Sequence, residues 1–136
     1  MWTTDIETDI YSIVKSKVVS ALSKEYPNIY FTMDDSVQTE PKFPTIYIQF
    51  ISSIEQETDF EGKDIPAILL TVQFEVTVNK AQGIRSARLI ADNVLGAFKN
   101  LRFESVSLPR ILNTNPDTKR VVCRCRRMIG SGDAWI

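Results

Sequence analysis

A strict alternation of apolar and polar residues in "AILLTVQFEVTVN", residues 67–79, constrains the fold more than any other feature of this chain. Successive side chains of a strand point to opposite faces, so each set of alternate positions defines one face. The apolar set is Ile68, Leu70, Val72, Phe74, Val76 and Val78, and the polar set is Thr71, Gln73, Glu75, Thr77 and Asn79. The pattern is typical of an antiparallel sheet with one covered face and one available face.

Four further stretches have strand character and are separated by turn-like or charged segments. They are "NIYFTM" (28–33), "PTIYIQFISSI" (44–54), "FESVSL" (103–108) and "KRVVCRCRRMI" (119–129). The Pro- and Asn-containing segment "PRILNTNPDT" (109–118) is expected to be a loop between the last two. Together with residues 67–79, these stretches predict a sheet of four to five strands.

Two segments show helical spacing of apolar residues. The first is expected from about Asp5 to Lys24, with Thr4 and Glu7 in a capping-box pattern at its start. The second follows Asn79 and Gln82, either of which can cap it, and carries a broad apolar stripe that ends at Phe98. We therefore predict an α+β fold: a single twisted antiparallel sheet of four to five strands, with two helices packed on one face.

The chain of 136 residues has the size of one domain, and no linker interrupts it, so residues 1–136 are expected to form a single domain. Between two of the strands lies "SSIEQETDFEGKDIP", a long β-hairpin connection. This segment is longer than a tight hairpin requires and is either a solvated loop or a projecting arm. Its acidic residues are Glu55, Glu57, Asp59, Glu61 and Asp64.

Charge is divided unevenly along the sequence although the net charge is −1. Residues 1–66 carry 12 acidic and 5 basic residues, whereas residues 67–136 carry 5 acidic and 11 basic residues. Such a division can be neutralised within one fold, can attract nucleic acid to the basic half, or can join the acidic surface of one copy to the basic surface of the next.

The stretch "RVVCRCRRMIG", residues 120–130, contains four of the arginines. On a strand, Val121, Cys123, Cys125 and Ile129 share the covered face, with Arg127 as an exception. The opposite face then holds Arg120, Arg124 and Arg126, together with Val122 and Met128. The pleat therefore predicts a row of guanidinium groups on the available face of the sheet.

Residues suited to catalysis or metal binding are scarce in this sequence. The chain has no His, no G-x-S-x-G elbow, no Walker loop and no G-x-G-x-x-G motif. A structural zinc site needs four ligands, and Cys123 and Cys125 are the only cysteines. We expect no enzymatic activity, no metal and no cofactor, and we expect both cysteines to be small buried hydrophobic residues.

Membrane association and secretion are not expected either. No apolar run approaches the roughly 20 residues of a membrane helix, and "MWTTDIETDI" lacks the basic and apolar regions of a signal peptide. Synthesis and folding in the cytoplasm are therefore predicted. Nucleic-acid binding by the arginines remains an alternative, although they are not interleaved with the aromatic residues that stack on bases, and the isoelectric point of about 5.5 is acidic.

The order of elements, together with "MWTTDIETDIYSIVKSKVVSAL", "PTIYIQF" and "KAQGIRSARLIADNVLGAF", resembles the tail-terminator (tail-completion) proteins of long-tailed bacteriophages and related phage-derived contractile particles. The resemblance spans most of the chain and depends on layout and size more than on invariant residues. Another head–tail connector or neck protein would have a similar layout.

The resemblance implies a structural virion protein, assembled in the cytoplasm of a bacterial host and located in the phage tail. It would form a ring, typically a hexamer, on the head-proximal end of the tail tube, ending tube polymerisation and providing the head–tail joining surface. Its partners would be other copies of itself, the tail tube protein, a head–tail connector protein and DNA passing through the lumen. From the charge division we predict a subunit or tube interface in which one set of residues meets an oppositely charged set on a neighbour: Arg120, Arg124 and Arg126 against Glu55, Glu57, Asp59 and Glu61.

Overall fold

A computed structural model describes residues 2–33, 42–57, 67–112 and 117–130 of the chain. Two helices and five strands follow one another in these ranges. In chain order they are α1 (Trp2–Leu22), β1 (Tyr30–Thr32), β2 (Thr45–Glu57), β3 (Ala67–Asn79), α2 (Gly83–Asn100), β4 (Glu104–Ile111) and β5 (Thr118–Gly130).

The five strands form one sheet in the order β1-β2-β3-β5-β4, with β3 at its centre. The predicted α+β class and strand number are therefore confirmed. Neighbouring strands are antiparallel except β1 and β2, which pair in parallel over Tyr30–Thr32 and Thr45–Tyr47. The prediction of a purely antiparallel sheet is wrong at this edge, because apolar alternation is the same for either strand direction and does not distinguish them.

The helices and one face of the sheet share a single hydrophobic core. Every second residue of β3 is buried, from Ile68 to Val78, as the alternation predicts. At the centre the Phe74 ring stacks on the Phe98 ring of α2 at a centroid distance of 5.8 Å. The ring of Tyr11 in α1 meets that of Phe31 in β1 edge-on at 6.4 Å. Both helices therefore lie on the side of the sheet to which Phe74 points.

The helix boundaries differ from the predicted ones. Since α1 begins at Trp2 and ends at Leu22, Thr4 lies within the helix and not at the position before it, and Lys24 lies beyond the end. Ile6 and Ile10 are buried with either start, so apolar spacing cannot identify the first helical residue. At the start of α2, the Asn79 side-chain oxygen accepts a hydrogen bond of 2.8 Å from the Gln82 backbone N–H, whereas Gln82 itself forms no side-chain cap with the helix.

Three strands are longer than predicted, β5 by only one residue at each end, and one strand is shorter. A bulge between Phe50 and Ser52 lets β2 continue to Glu57, into the segment assigned to the hairpin connection. In the same way β4 continues through Pro109 to Ile111, which were expected in a loop. The first strand covers only Tyr30–Thr32.

Candidate functional site: the open face of the sheet

The face of the sheet that points away from the helices carries mostly polar side chains. We call this surface the open face; it includes Tyr47 and Gln49 of β2, Thr71, Gln73, Glu75 and Thr77 of β3, and Arg120, Arg124 and Arg126 of β5. The β3 members all keep partial exposure, whereas the alternate β3 residues are buried. The open face is thus a polar surface to which β2, β3 and β5 all contribute.

The three β5 arginines form a line on this face, which we call the arginine row. Arg120, Arg124 and Arg126 lie opposite Thr77, Gln73 and Thr71 of β3 in the strand register. Cys123 and Cys125, at the intervening positions, are fully buried on the other face. The predicted separation of arginines from cysteines by the pleat is therefore correct.

Each arginine of the row is held by a side chain of a neighbouring strand. The Arg120 Nη2 donates to Glu75 Oε2, and the Arg126 Nε donates to Glu104 Oε1, both at 2.8 Å. The Arg124 Nε donates to the Gln73 Oε1, also at 2.8 Å. A guanidinium has five N–H donors, so groups positioned in this way keep donors for an outside acceptor.

The two ion pairs differ in their exposure to solvent. The side chains of Arg120 and Glu75 are 28% and 19% exposed, whereas those of Arg126 and Glu104 are 50% and 67% exposed. An exposed pair contributes only about 0–1 kcal/mol to stability, so Arg126 and Glu104 can exchange partners at little cost. The Arg126 end of the row is therefore better suited to meet another molecule than the Arg120 end.

The acidic residues predicted to meet these arginines occupy other parts of the chain. Glu55 and Glu57 lie on β2, opposite Ile68 and Ala67 of β3, and are not in a connection as predicted. Asp59 and Glu61 lie outside the described residues. Because β3 separates β2 from β5, one copy of the chain does not bring Glu55 or Glu57 to the arginine row.

Sequence reasoning missed the acids and the amide that do hold the row. The alternation of β3 places Gln73 and Glu75 on the open face, which is the signal available before the structure. Their pairing with particular arginines depends on the β3–β5 register, and that of Glu104 depends on the order β5-β4. Neither can be read from periodicity.

A basic cleft lies at the end of the sheet where β4 begins. Its volume is about 510 Å³. Its lining residues are Leu69, Arg102, Glu104, Arg126, Arg127 and Met128. The backbone of Arg102 has a φ of 68°, in the left-handed region that non-glycine residues seldom adopt. The Arg127 Nη1 donates a hydrogen bond of 2.9 Å to the Leu101 carbonyl oxygen at the end of α2. The cleft is thus lined by three positively charged side chains and one negatively charged side chain.

The cysteines have the environment of packing residues. Burial raises the pKa of the Cys125 thiol to about 12 and that of the Cys123 thiol to about 11. The Cys123 thiol donates to the Ser107 carbonyl oxygen at 3.0 Å. Both groups are protonated at neutral pH, and a protonated, buried thiol is a poor nucleophile and metal ligand. Across the described ranges no three His, Cys, Asp or Glu side chains are placed to share a metal ion.

No protein-family model matches the chain, and no curated protein sequence matches it. In the part of the chain that the structure describes, neither helix is both long enough and apolar enough to cross a membrane.

Proposed function

We propose that this protein is a tail-terminator-like structural component of a bacteriophage tail or of a related contractile particle. It assembles as a ring, a homohexamer, on the head-proximal end of the tail tube, stops tube polymerisation and provides the surface that joins the head. It is a virion protein that is made in the cytoplasm of the bacterial host, and it is not an enzyme.

The observation that carries this proposal is the open face with its arginine row. Helices pack on one side of the sheet, which leaves a surface of partly exposed polar side chains from several strands on the other. The arginines on this face are positioned by Glu75, Gln73 and Glu104 and retain donors for an outside partner. Such a surface, with several hydrogen-bonding side chains held in fixed positions, suits docking to another protein.

The partners follow from the shape of a tube end. Copies of the chain meet one another around the ring, the tail tube protein lies on one side, and a head–tail connector protein lies on the other. DNA passing through the lumen would meet whichever surface faces inward. The arginine row sets orientation and register in such contacts, because exposed charge pairs contribute little affinity, while apolar contacts supply most of the binding free energy. An isolated copy is therefore expected to be monomeric at low concentration.

Negative-stain imaging of tail tubes tests the proposal. The tail tube protein encoded in the same genome is polymerised in the presence of the chain, which carries a gold label. We expect rings at one end of each tube. Arg124→Glu combined with Arg126→Glu should leave the chain folded but reduce capping strongly, because both substitutions reverse charge on the open face.

A matched control reverses two other charges on the opposite side of the molecule. Arg85 and Arg88 are exposed on α2, which packs on the covered face, so Arg85→Glu with Arg88→Glu should cap tubes as well as the unchanged chain does. If the unchanged chain binds no tube ends and forms no rings at high concentration, the assignment fails. If the two double variants behave alike, the role of the arginine row fails.

Titration with labelled duplex DNA separates the alternative of a nucleic-acid-binding protein. We expect weak binding that disappears as salt rises, because any phosphate contact of the row would be electrostatic. Tight binding to a particular sequence would contradict the structural role and favour a regulator.

A further inference from the structure

Helix α2 ends in a type of turn that usually contains a glycine. The Phe103 N–H donates to the Phe98 carbonyl oxygen at 3.1 Å, and the Arg102 N–H donates to the Lys99 carbonyl oxygen at 2.9 Å. The rings of Phe98 and Phe103 meet edge-on at a centroid distance of 5.3 Å. These two hydrogen bonds and this apolar contact define a Schellman motif, in which the residue at the position of Arg102 has a left-handed backbone and is most often glycine.

Arg102 adopts the left-handed backbone that the motif requires, with a φ of 68°. This conformation costs free energy for a residue that has a Cβ atom but not for glycine. Residues held in unfavourable backbone conformations cluster at binding sites and active sites. Arginine differs from glycine here by its side chain, so a compensating role belongs to the guanidinium group.

The Arg102 side chain is exposed and lines the basic cleft together with Arg126 and Arg127. Within the described ranges its guanidinium forms no hydrogen bond and no ion pair. The Arg127 Nη1, in contrast, is held at 2.9 Å by the carbonyl oxygen of Leu101, the residue before Arg102. The Arg126 Nε is held at 2.8 Å by Glu104. The protein thus positions two arginines of the cleft and leaves the donors of Arg102 to another acceptor.

The charges of the cleft match a ligand with two negative charges. Three guanidinium groups and the Glu104 carboxylate leave a net charge of +2. A phosphate monoester carries about −1.5 to −2 charges at neutral pH and has three strongly accepting oxygens. The planar fork of an arginine donates two parallel hydrogen bonds to such a group. A carboxylate has one charge and two oxygens, so it would neutralise only half of the charge of the cleft.

The cleft has room for more than a phosphate group. Its volume is about 510 Å³, and its remaining lining residues, Leu69 and Met128, are apolar. The Met128 side chain is 56% exposed. Pockets for small molecules commonly combine a few charged groups with apolar walls. A small phosphorylated molecule therefore fits with its phosphate toward the arginines and its organic part against Met128.

We propose that the basic cleft binds a phosphate group with two negative charges, either inorganic phosphate or the terminal phosphate of a small molecule. The Arg102 and Arg126 guanidinium groups donate to the phosphate oxygens, and Arg127 adds its charge from the position fixed by Leu101. Glycine at position 102 would relieve the backbone but would remove one of the donors. This site does not depend on the proposed function, because it requires neither a ring nor a tail tube.

NMR of the methionine methyl groups tests where phosphate binds. The chain has three methionines, of which Met128 lines the cleft and Met33 follows β1 at the far side of the sheet. The methyl groups are labelled with ¹³C, and Met128→Leu assigns the Met128 signal. Inorganic phosphate is titrated against sodium chloride of equal ionic strength. We expect phosphate, but not chloride, to shift the Met128 signal until it saturates, while the Met33 signal stays unchanged.

Substitutions separate the side chain of Arg102 from its backbone. Without phosphate, Arg102→Gly should raise the midpoint of thermal unfolding by about 3 °C, because the left-handed conformation suits glycine. The same change should weaken phosphate binding about tenfold, because a charged donor is lost. Arg126→Gln should also weaken binding but without raising the midpoint. Arg110→Gln removes an exposed charge of β4 outside the cleft and should alter neither measurement.

A nucleoside 5′-monophosphate and a DNA duplex without terminal phosphates identify the source of the phosphate. Tighter binding of the monophosphate than of inorganic phosphate supports a phosphorylated small molecule, and binding that is no tighter supports inorganic phosphate. Three results would overturn the proposal. The first is a Met128 signal that responds to neither compound, and the second is equal affinity in the unchanged chain and in Arg102→Gly. The third is a response to the duplex alone, which would indicate an extended surface for nucleic acid.

Discussion

Single residues of the covered face have roles that follow from their burial. Phe74 is fully buried at the centre of β3, and its ring stacks on Phe98 of α2. Cys123 and Cys125 occupy the same face of the adjacent strand β5 and are also fully buried. Alternation was sufficient to predict these positions, because burial follows the pleat of a strand directly.

Phe74→Ala should lower the free energy of unfolding by about 3–5 kcal/mol, because it leaves a cavity between β3 and α2 and removes the contact with Phe98. Chemical denaturation measures the change. Leu89→Ala provides the control, since Leu89 is 44% exposed on α2 and its truncation should cost less than about 0.5 kcal/mol. A loss well under 1 kcal/mol for Phe74→Ala would contradict its place in the core.

The two thiols make the free energy of unfolding depend on pH in the alkaline range. Folding raises the pKa of Cys123 and Cys125 from about 9 to about 11 and about 12, so the folded state holds protons that the unfolded state releases. Their contribution is fully present below about pH 9 and is lost as pH rises through the folded values, by at most about 1.4 kcal/mol per pH unit for each thiol.

Urea unfolding at about pH 8 and about pH 10.5 measures this dependence. Cys125→Ala should lose less stability between the two pH values than the unchanged chain, because one of the two thiols no longer titrates. The other side chains are the same in both chains, so their effects cancel in the comparison. Equal losses in the two chains would show that the Cys125 thiol ionises as easily in the folded state as in the unfolded state.

At the scale of elements, the sheet face on which a side chain lies was predictable from the sequence, but the pairing of the strands was not. Alternation assigned the arginine row to the face opposite the cysteines, but it is equally compatible with parallel and antiparallel neighbours, as the β1–β2 pair shows. The bulge after Phe50 lets β2 continue to Glu57, and no periodic pattern marks it. The partners Glu75 and Glu104 of the arginine row depend on strand order and register, which are properties of the assembled sheet.

Arg127 connects β5 to the end of α2 and should contribute more to the free energy of unfolding than the arginines of the row. It lies at a core-facing position of β5, where its guanidinium donates to the Leu101 carbonyl oxygen at the end of α2. Arg127→Ala should cost about 1–3 kcal/mol, because a part-buried carbonyl loses a charged donor. Arg124→Ala, which removes an exposed group bonded to Gln73, should cost less than about 1 kcal/mol. Equal losses in denaturation experiments would contradict the linking role of Arg127.

At the scale of the whole molecule, the division of charge along the sequence becomes a division across the sheet. The basic residues of β5 and of the segment before β4 lie toward one edge, while Glu55 and Glu57 lie on β2 toward the other. Within one copy the arginine row is only partly neutralised, by Glu75 and Glu104. A ring of copies, as proposed, would offer the acidic part of one copy to the basic part of the next.

The dependence of tail-tube length on the amount of this protein tests the terminator role most directly. A fixed amount of tail tube protein is polymerised with increasing amounts of the chain, and tube lengths are measured by electron microscopy. If the protein caps growing ends, the mean length should fall as its ratio to tube protein rises, and Arg124→Glu with Arg126→Glu should weaken this effect. A length distribution that does not change at any ratio, with no rings at tube ends, would contradict the proposal.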